Sequence, residues 1–162
     1  GRYRDEGTVI TVTPQNYTVN GYSVSGTKVI TNMGLNDASQ PYFDIDVEGA
    51  VTAPGNAWTA TWNSQRIRTW VEGYEVDSNT IWDDVYEITG GANGVNRFGN
   101  PYTVSITSAL RVELICPWIV SGALTIAPQN NDVRVVNFGS GDCNNGFTVT
   151  VNGETEEFNG GD

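Results

Sequence analysis

YFDIDVEGAV, residues Tyr42 to Val51, alternates Phe43, Ile45 and Val47 against Asp44, Asp46 and Glu48. Successive side chains of a strand point to opposite faces, so this stretch reads as a half-buried β-strand with an acidic outer face. The same two-residue period recurs on both sides of it. TVITVTP (Thr8 to Pro14) opens the series, and Asn20-Gly21 separates YTV from YSVSGTKVIT like a tight hairpin turn. NMGLNDASQP then reads as a loop ending at Pro41. In WTATWNSQRIRTWVEGY (Trp58 to Tyr74), Trp58, Ala60 and Trp62 share one parity and Ile67, Thr69 and Val71 the other. That switch predicts a bulge or bend near Asn63-Ser64. VYEITGGANGV and YTVSITSALRVELI are joined by the turn NRFGNP, and WIVSGALTIAP, VRVVNFG and FTVTVNG complete the list. No dozen-residue window carries a helical period, although Trp82 and Tyr86 in IWDDVYEI are spaced for one helical turn. The pattern predicts one all-β domain over residues 1–162, an antiparallel β-sandwich of roughly nine or ten strands in sequential hairpins.

Composition narrows the function. The 162 residues carry 19 acids against 8 bases, a net charge of −11, and Lys28 is the single lysine. Such a chain is repelled by phosphate backbones and anionic membrane surfaces, so no nucleic-acid partner is expected. With no histidine, Ser-His-Asp and Cys-His catalysis and most catalytic zinc sites are excluded. No run approaches the ~20 apolar residues of a membrane-spanning helix. Nothing at Gly1 resembles a signal peptide, which leaves a cytosolic protein or a processed mature form. No enzyme activity, cofactor or metal is expected from these features.

TKVITNMG, RIRTWVEGY, DDVYEITGGANGVNRFGNPYTVSIT, ELICPWIVSGALTIAP and FGSGDCNNGFTVTVNG follow one another in this order. Together, from about Thr8 to Gly153, they resemble a family of secreted proteins and surface lipoproteins of Bacteroidota. The resemblance implies a β-rich fold and an extracellular or outer-membrane-surface location. It carries no activity or catalytic residues, and it marks Cys116, Trp118 and Cys143 as motif positions. Through the export it implies, the two cysteines read as one disulfide; two buried free thiols are the alternative in a reducing compartment. Members carry a further apolar strand upstream of the segment at which this chain begins. If Gly1 is the mature terminus, the sheet lacks an edge strand and Thr8, Val9, Ile10, Thr11 and Val12 become an assembly edge for another copy. The other reading of Arg2 to Gly7 is a frayed start.

The remaining motifs each admit two readings. Glu72, Glu75, Asp77, Asp83, Asp84 and Glu87 are six acids within sixteen residues without an intervening base. They form either a solvated face or a calcium site, with Asp83 and Asp84 as ligands. Trp58 and Trp62 share a strand face, and are either core or a platform for a polysaccharide. Trp118, beside the presumed disulfide, reads as core. Arg66 and Arg68 read as cross-strand partners of Asp44 or Asp46. FGSGDCNNG (Phe138 to Gly146) lacks the ligand spacing of a calcium loop and the serine and histidine of a nucleophile elbow, which leaves a turn held by Cys143. The chain is therefore expected to be a non-enzymatic structural or adhesive protein that forms a homo-oligomer or filament. A carbohydrate-binding module is the alternative.

Overall fold

Each alternating stretch forms a strand. In the computed structural model, which describes residues 2–75 and 80–159, the strands are β1 (Val9–Val12), β2 (Tyr17–Val19), β3 (Tyr22–Leu35), β4 (Pro41–Thr52), β5 (Thr59–Glu72) and β6 (Val85–Val95). They continue as β7 (Pro101–Glu113), β8 (Ile119–Pro128), β9 (Arg134–Ser140), β10 (Gly146–Val151) and β11 (Glu154–Asn159). All eleven belong to one antiparallel sheet in the order β1-β3-β4-β5-β6-β7-β8-β9-β10-β11, with β2 also pairing β3. The protein is thus all-β. The expected division into two sheets is not what the strand order shows: each long strand pairs with its neighbours in sequence, and the path never crosses to a second layer.

Turn chemistry sets this path. Asn20 and Gly21 both take positive φ, 49° and 82°, the two-residue turn that matches the twist of the flanking strands. Two other hairpins share one loop design. Asn36 Oδ1 accepts from the amides of Ala38 and Gln40, and Asn96 Oδ1 accepts from those of Phe98 and Asn100. In each loop the residue before the last has positive φ (Ser39 and Gly99) and a proline opens the next strand. Two sequence expectations shift. The Asn32–Pro41 loop is shorter than expected, because β3 runs to Leu35 through a register irregularity after Asn32. The bulge expected near Asn63-Ser64 is absent; β5 keeps unbroken register with β4 from Thr59 to Thr69, and its irregularity with β6 lies between Trp70 and Glu72. Residues 81–84 form a turn closed by Asp84 N donating to Ile81 O at 3.3 Å, not a helical turn.

Register sorts the side chains. One lateral row runs Thr27–Glu48–Asn63–Asn93–Thr103 and the next Val29–Asp46–Gln65–Gly91–Ser105–Thr125, a polar face. The opposite face carries Ile30–Ile45 and Val47–Ser64–Ala92–Val104–Ile126. The large buried side chains cluster at one end of the sheet, while Ser64 in mid-β5 and Ala53 at the far end are buried apart from them. Phe43, Trp70, Val85, Tyr86, Leu110 and Val120, all buried, sit where β4, β6 and β8 begin and β5 and β7 finish. At this end the N-terminal segment and the β5–β6 and β7–β8 loops gather, and Cys116 and Cys143 join the β7–β8 loop to the β9–β10 loop. Elsewhere the sheet is thinly covered. The chain exposes 10306 Å², against roughly 7,900 Å² for a globular monomer of its mass.

Two stability measurements test this distribution. Phe43→Ala, at 1% exposure, lowers unfolding free energy by about 3–5 kcal/mol in denaturant titration, while Phe98→Ala, at 72%, stays within about 0.5 kcal/mol. Reducing the disulfide, which spans 27 residues, costs about 3–4 kcal/mol by the chain-entropy argument.

Candidate functional site

The sheet ends in two edges that meet no further strand among the described residues. At the first, β1 pairs only with β3, from Val9 opposite Thr31 to Val12 opposite Lys28. Asn32 N donates to Thr8 O at 2.9 Å, which places Ile10 and Val12 in the hydrogen-bonded pairs and turns the backbone groups of Val9 and Thr11 outward. Val9 and Val12 are 57% and 50% exposed. This edge is interrupted after Val12: Pro14 and the positive φ of Asn16 (52°) separate β1 from β2. At the other edge, β11 is exposed throughout and carries Glu154, Glu156 and Glu157. Val9 to Val12, expected as part of an assembly edge, thus lie at one end of the strand order, with Thr8 just before them.

The other expected site residues are scattered. Trp58 and Trp62 are half-buried, near the end of the sheet opposite the capped one. Trp58 packs 5.7 Å from Tyr22, and the Trp62 indole lies across Gly49, where any side chain would collide with the ring at 2.2 Å. Asp84 is buried and accepts a hydrogen bond from the Tyr86 hydroxyl at 3.2 Å, whereas Asp83 is exposed. Asp77 lies outside the described residues. Among those described, no three carboxylates or thiolates converge into a metal-holding group. Trp118 is 45% exposed rather than core, because the β7–β8 loop turns it outward while its neighbour Cys116 is buried. Arg66 and Arg68 do not meet Asp44 or Asp46. Register places Arg66 opposite Ile45, Arg68 opposite Phe43 and Asp44 opposite Ile67, so the arginines and the acids occupy opposite faces. The ion pairs among the described residues belong instead to Arg111, which reaches Glu72 across β6 at 2.7 Å and Glu113 on its own strand at 2.9 Å.

A cluster that sequence reasoning missed caps the buried end. Tyr3 stacks on Phe43 at 4.8 Å, its carbonyl accepts from Asn32 Nδ2, and Arg68 donates to its hydroxyl. Arg68 lies over the rings of Phe43 and Tyr86, each at 5.0 Å, and Arg4 lies over Trp70 at 4.4 Å. The first residues are thus a structured clasp, not a frayed start. Burial, and next the negative charge of Asp84, push the Tyr86 hydroxyl far above its ordinary pKa. Burial also raises Tyr3. On the polar face, a shallow depression of about 1040 Å³ spans β3 to β7, lined by Asp44, Asp46, Glu48, Asn63, Gln65 and Ser105 among others. It presents hydrogen-bonding groups, among them the half-buried Asp44 and the exposed Asp46 and Glu48.

Among the described residues no helix is long and apolar enough to cross a membrane. No protein-family model, no curated protein and no solved structure matches the chain.

The clasp predicts an alkaline transition. A tyrosine raised in the folded state from its value near 10 holds its proton more tightly folded than unfolded. Its contribution is complete below about pH 10 and is lost as pH rises toward the folded value. The denaturant midpoint should therefore fall above pH 10, and Tyr86→Phe should make that fall shallower while costing about 1–2 kcal/mol at neutral pH through the hydrogen bond lost by Asp84. An unchanged alkaline slope in the variant would contradict this assignment.

Proposed function

We propose that the protein is a non-enzymatic, exported structural or adhesive subunit that assembles with copies of itself through its strand edges. The observation that carries this reading is an open sheet in which, among the described residues, β1 and β11 pair with no strand on their outer sides. An exposed strand edge is a row of donors and acceptors awaiting another strand. The two edges differ in kind. β1 (Val9–Val12) is uncharged and β-branched and lies beside Lys28, while β11 bears three glutamates. Like-charge repulsion works against β11 meeting β11, so head-to-tail pairing of β1 with β11 is the favoured contact. Head-to-tail contacts generate open filaments unless the rotation closes a ring. The disulfide agrees with an oxidising, extracellular or cell-surface location, and so does the resemblance to secreted and surface proteins of Bacteroidota.

A second reading, a carbohydrate-binding module, is favoured by one observation. The Trp62 indole lies over Gly49 on the sheet face, with Trp58 and Tyr22 packed at the same end. Rings held against a sheet offer a π-face to sugar C–H groups. Quenching of tryptophan fluorescence by neutral polysaccharides, lost in Trp62→Ala, would support it.

Thr11→Pro tests the edge directly. The Thr11 N–H points away from β3, so proline removes the outward donor while the β1–β3 pairing stays. Size-exclusion chromatography and negative-stain microscopy should show concentration-dependent polymers of the native chain and none of the variant. A native chain that never exceeds a closed dimer would overturn edge assembly.

A further inference from the structure

Two aromatic residues share one row of the sheet, on the face opposite the polar one and toward the end away from the clasp. The row runs Gly26–Gly49–Trp62–Gly94–Tyr102–Pro128 from β3 to β8. The Trp62 indole rests over Gly49 on β4, and the Tyr102 hydroxyl reaches over Gly94 on β6, 2.8 Å from where a side chain there would begin. A glycine beneath a ring lets the ring lie against bare backbone and turn its π-face outward. Both residues are half-buried, and Tyr17 and Tyr22, 52% and 38% exposed, extend the same face at β2 and β3. Charge also sets this face apart in an acidic chain. Asp44, Asp46 and Glu48 stand on the polar face, whereas Lys28 and Arg66 stand on this one, exposed and outside every ion pair among the described residues. Lys28 is opposite Val47 and so is a diagonal neighbour of Gly49, ~7–8 Å from the position under the Trp62 indole. Arg66 follows Trp62 on the same face of β5, so both bases lie on the clasp side of the row. We infer that this face binds an extended acidic polysaccharide, a uronic-acid polymer, whose sugar rings stack on Trp62 and Tyr102 and whose carboxylates turn to Lys28 and Arg66; the inference rests on the carbohydrate-binding reading above.

Spacing and charge select that ligand. Gly49 and Gly94, the glycines under the two side chains, are two strands apart, about 10 Å. The two-residue repeat of a flat β-linked pyranose ribbon has the same length, and alternate sugars of such a ribbon present the same face. Both aromatic side chains therefore meet equivalent sugars. A carboxylate carried on the sugar ring stays at a fixed distance from the stacked face, within reach of long basic side chains on one flank. Arginine holds a carboxylate through two parallel N–H···O bonds, and lysine adds a mobile point charge. A neutral ribbon gains the stacking alone. A nucleic acid would bring its phosphates to a chain of net charge −11.

Hexamers of β-mannuronate and of β-mannose with the same linkage test this, since they differ only in carboxylate against hydroxymethyl. Titrated against tryptophan fluorescence, the uronate should bind about tenfold more tightly than the neutral sugar. Lys28→Gln and Arg66→Gln, both at exposed positions, should each weaken the uronate about threefold and leave the neutral hexamer unchanged. Together they should abolish the preference, and so should high salt. Tyr102→Ala should weaken both hexamers, with circular dichroism confirming the sheet; the exchanges at Lys28 and Arg66 decide the matter if that variant fails to fold. Equal affinity for the two hexamers overturns the acidic ligand and leaves the carbohydrate-binding reading standing, whereas binding of neither overturns both. A uronate preference that survives the loss of both bases overturns the site. Dextran sulfate or oligothymidylate bound as tightly as the uronate, through the same two bases, overturns the assignment to uronic acids.

Discussion

The register between β4 and β5 governs most of what this molecule presents to its surroundings. Ile45 stands opposite Arg66 and Asp46 opposite Gln65, and the pairing continues without interruption over eleven residue pairs. Since strand side chains have a period of two, a slip by one position would exchange the acidic ladder Asp44–Asp46–Glu48 with the apolar set Phe43–Ile45–Val47. Phe43 would then leave the stack with Tyr3, Arg68 would lose two of its rings, and the polar depression would lose its acids. The Asn36 loop fixes the neighbouring β3–β4 register, because its carboxamide is consumed by two backbone amides and that hairpin cannot lengthen without breaking them. Clasp, faces and edges all follow from where these two strands meet.

Local features were legible in the sequence because they depend on neighbours only. The alternation of Tyr42 to Val51, the turn at Asn20-Gly21 and the loop before Pro101 report backbone chemistry within a few residues. The layer arrangement was not legible. Strand count and hairpin order are the same for a sandwich and for one continuous sheet, and the difference lies in whether the chain crosses to a second layer. The ion pairs expected for Arg66 and Arg68 failed for a related reason. Sequence spacing places two residues on one face of their own strand and says nothing of which face of the next strand they join.

The clasp shows a different limit. Tyr3 and Arg4 precede the first strand in a segment of mixed polarity, and nothing local marks them as packing residues. Their partners Phe43, Arg68, Trp70 and Tyr86 are distant in sequence and are brought together only by the meander. Trp118 errs in the opposite direction. A large aromatic residue beside a cysteine suggests a core, but a short loop between two strands has room to bury one of the pair, and here it is the sulfur. Its position follows from loop geometry, which composition does not encode.

A sheet in which each long strand touches only its sequence neighbours behaves as a one-dimensional array, with cooperativity passed along by successive contacts. Such arrays melt from their ends inward, and the weakest junction decides where they part. The strands β9 to β11 lie farthest from the clasp and share none of its aromatic contacts, so this flank is the natural place for a separate opening unit. The Cys116–Cys143 bond encloses β8 and β9 in a covalent ring across that junction. Its thermodynamic effect therefore has a spatial counterpart: it couples the outer strands to the capped half, and the array opens as one body rather than two.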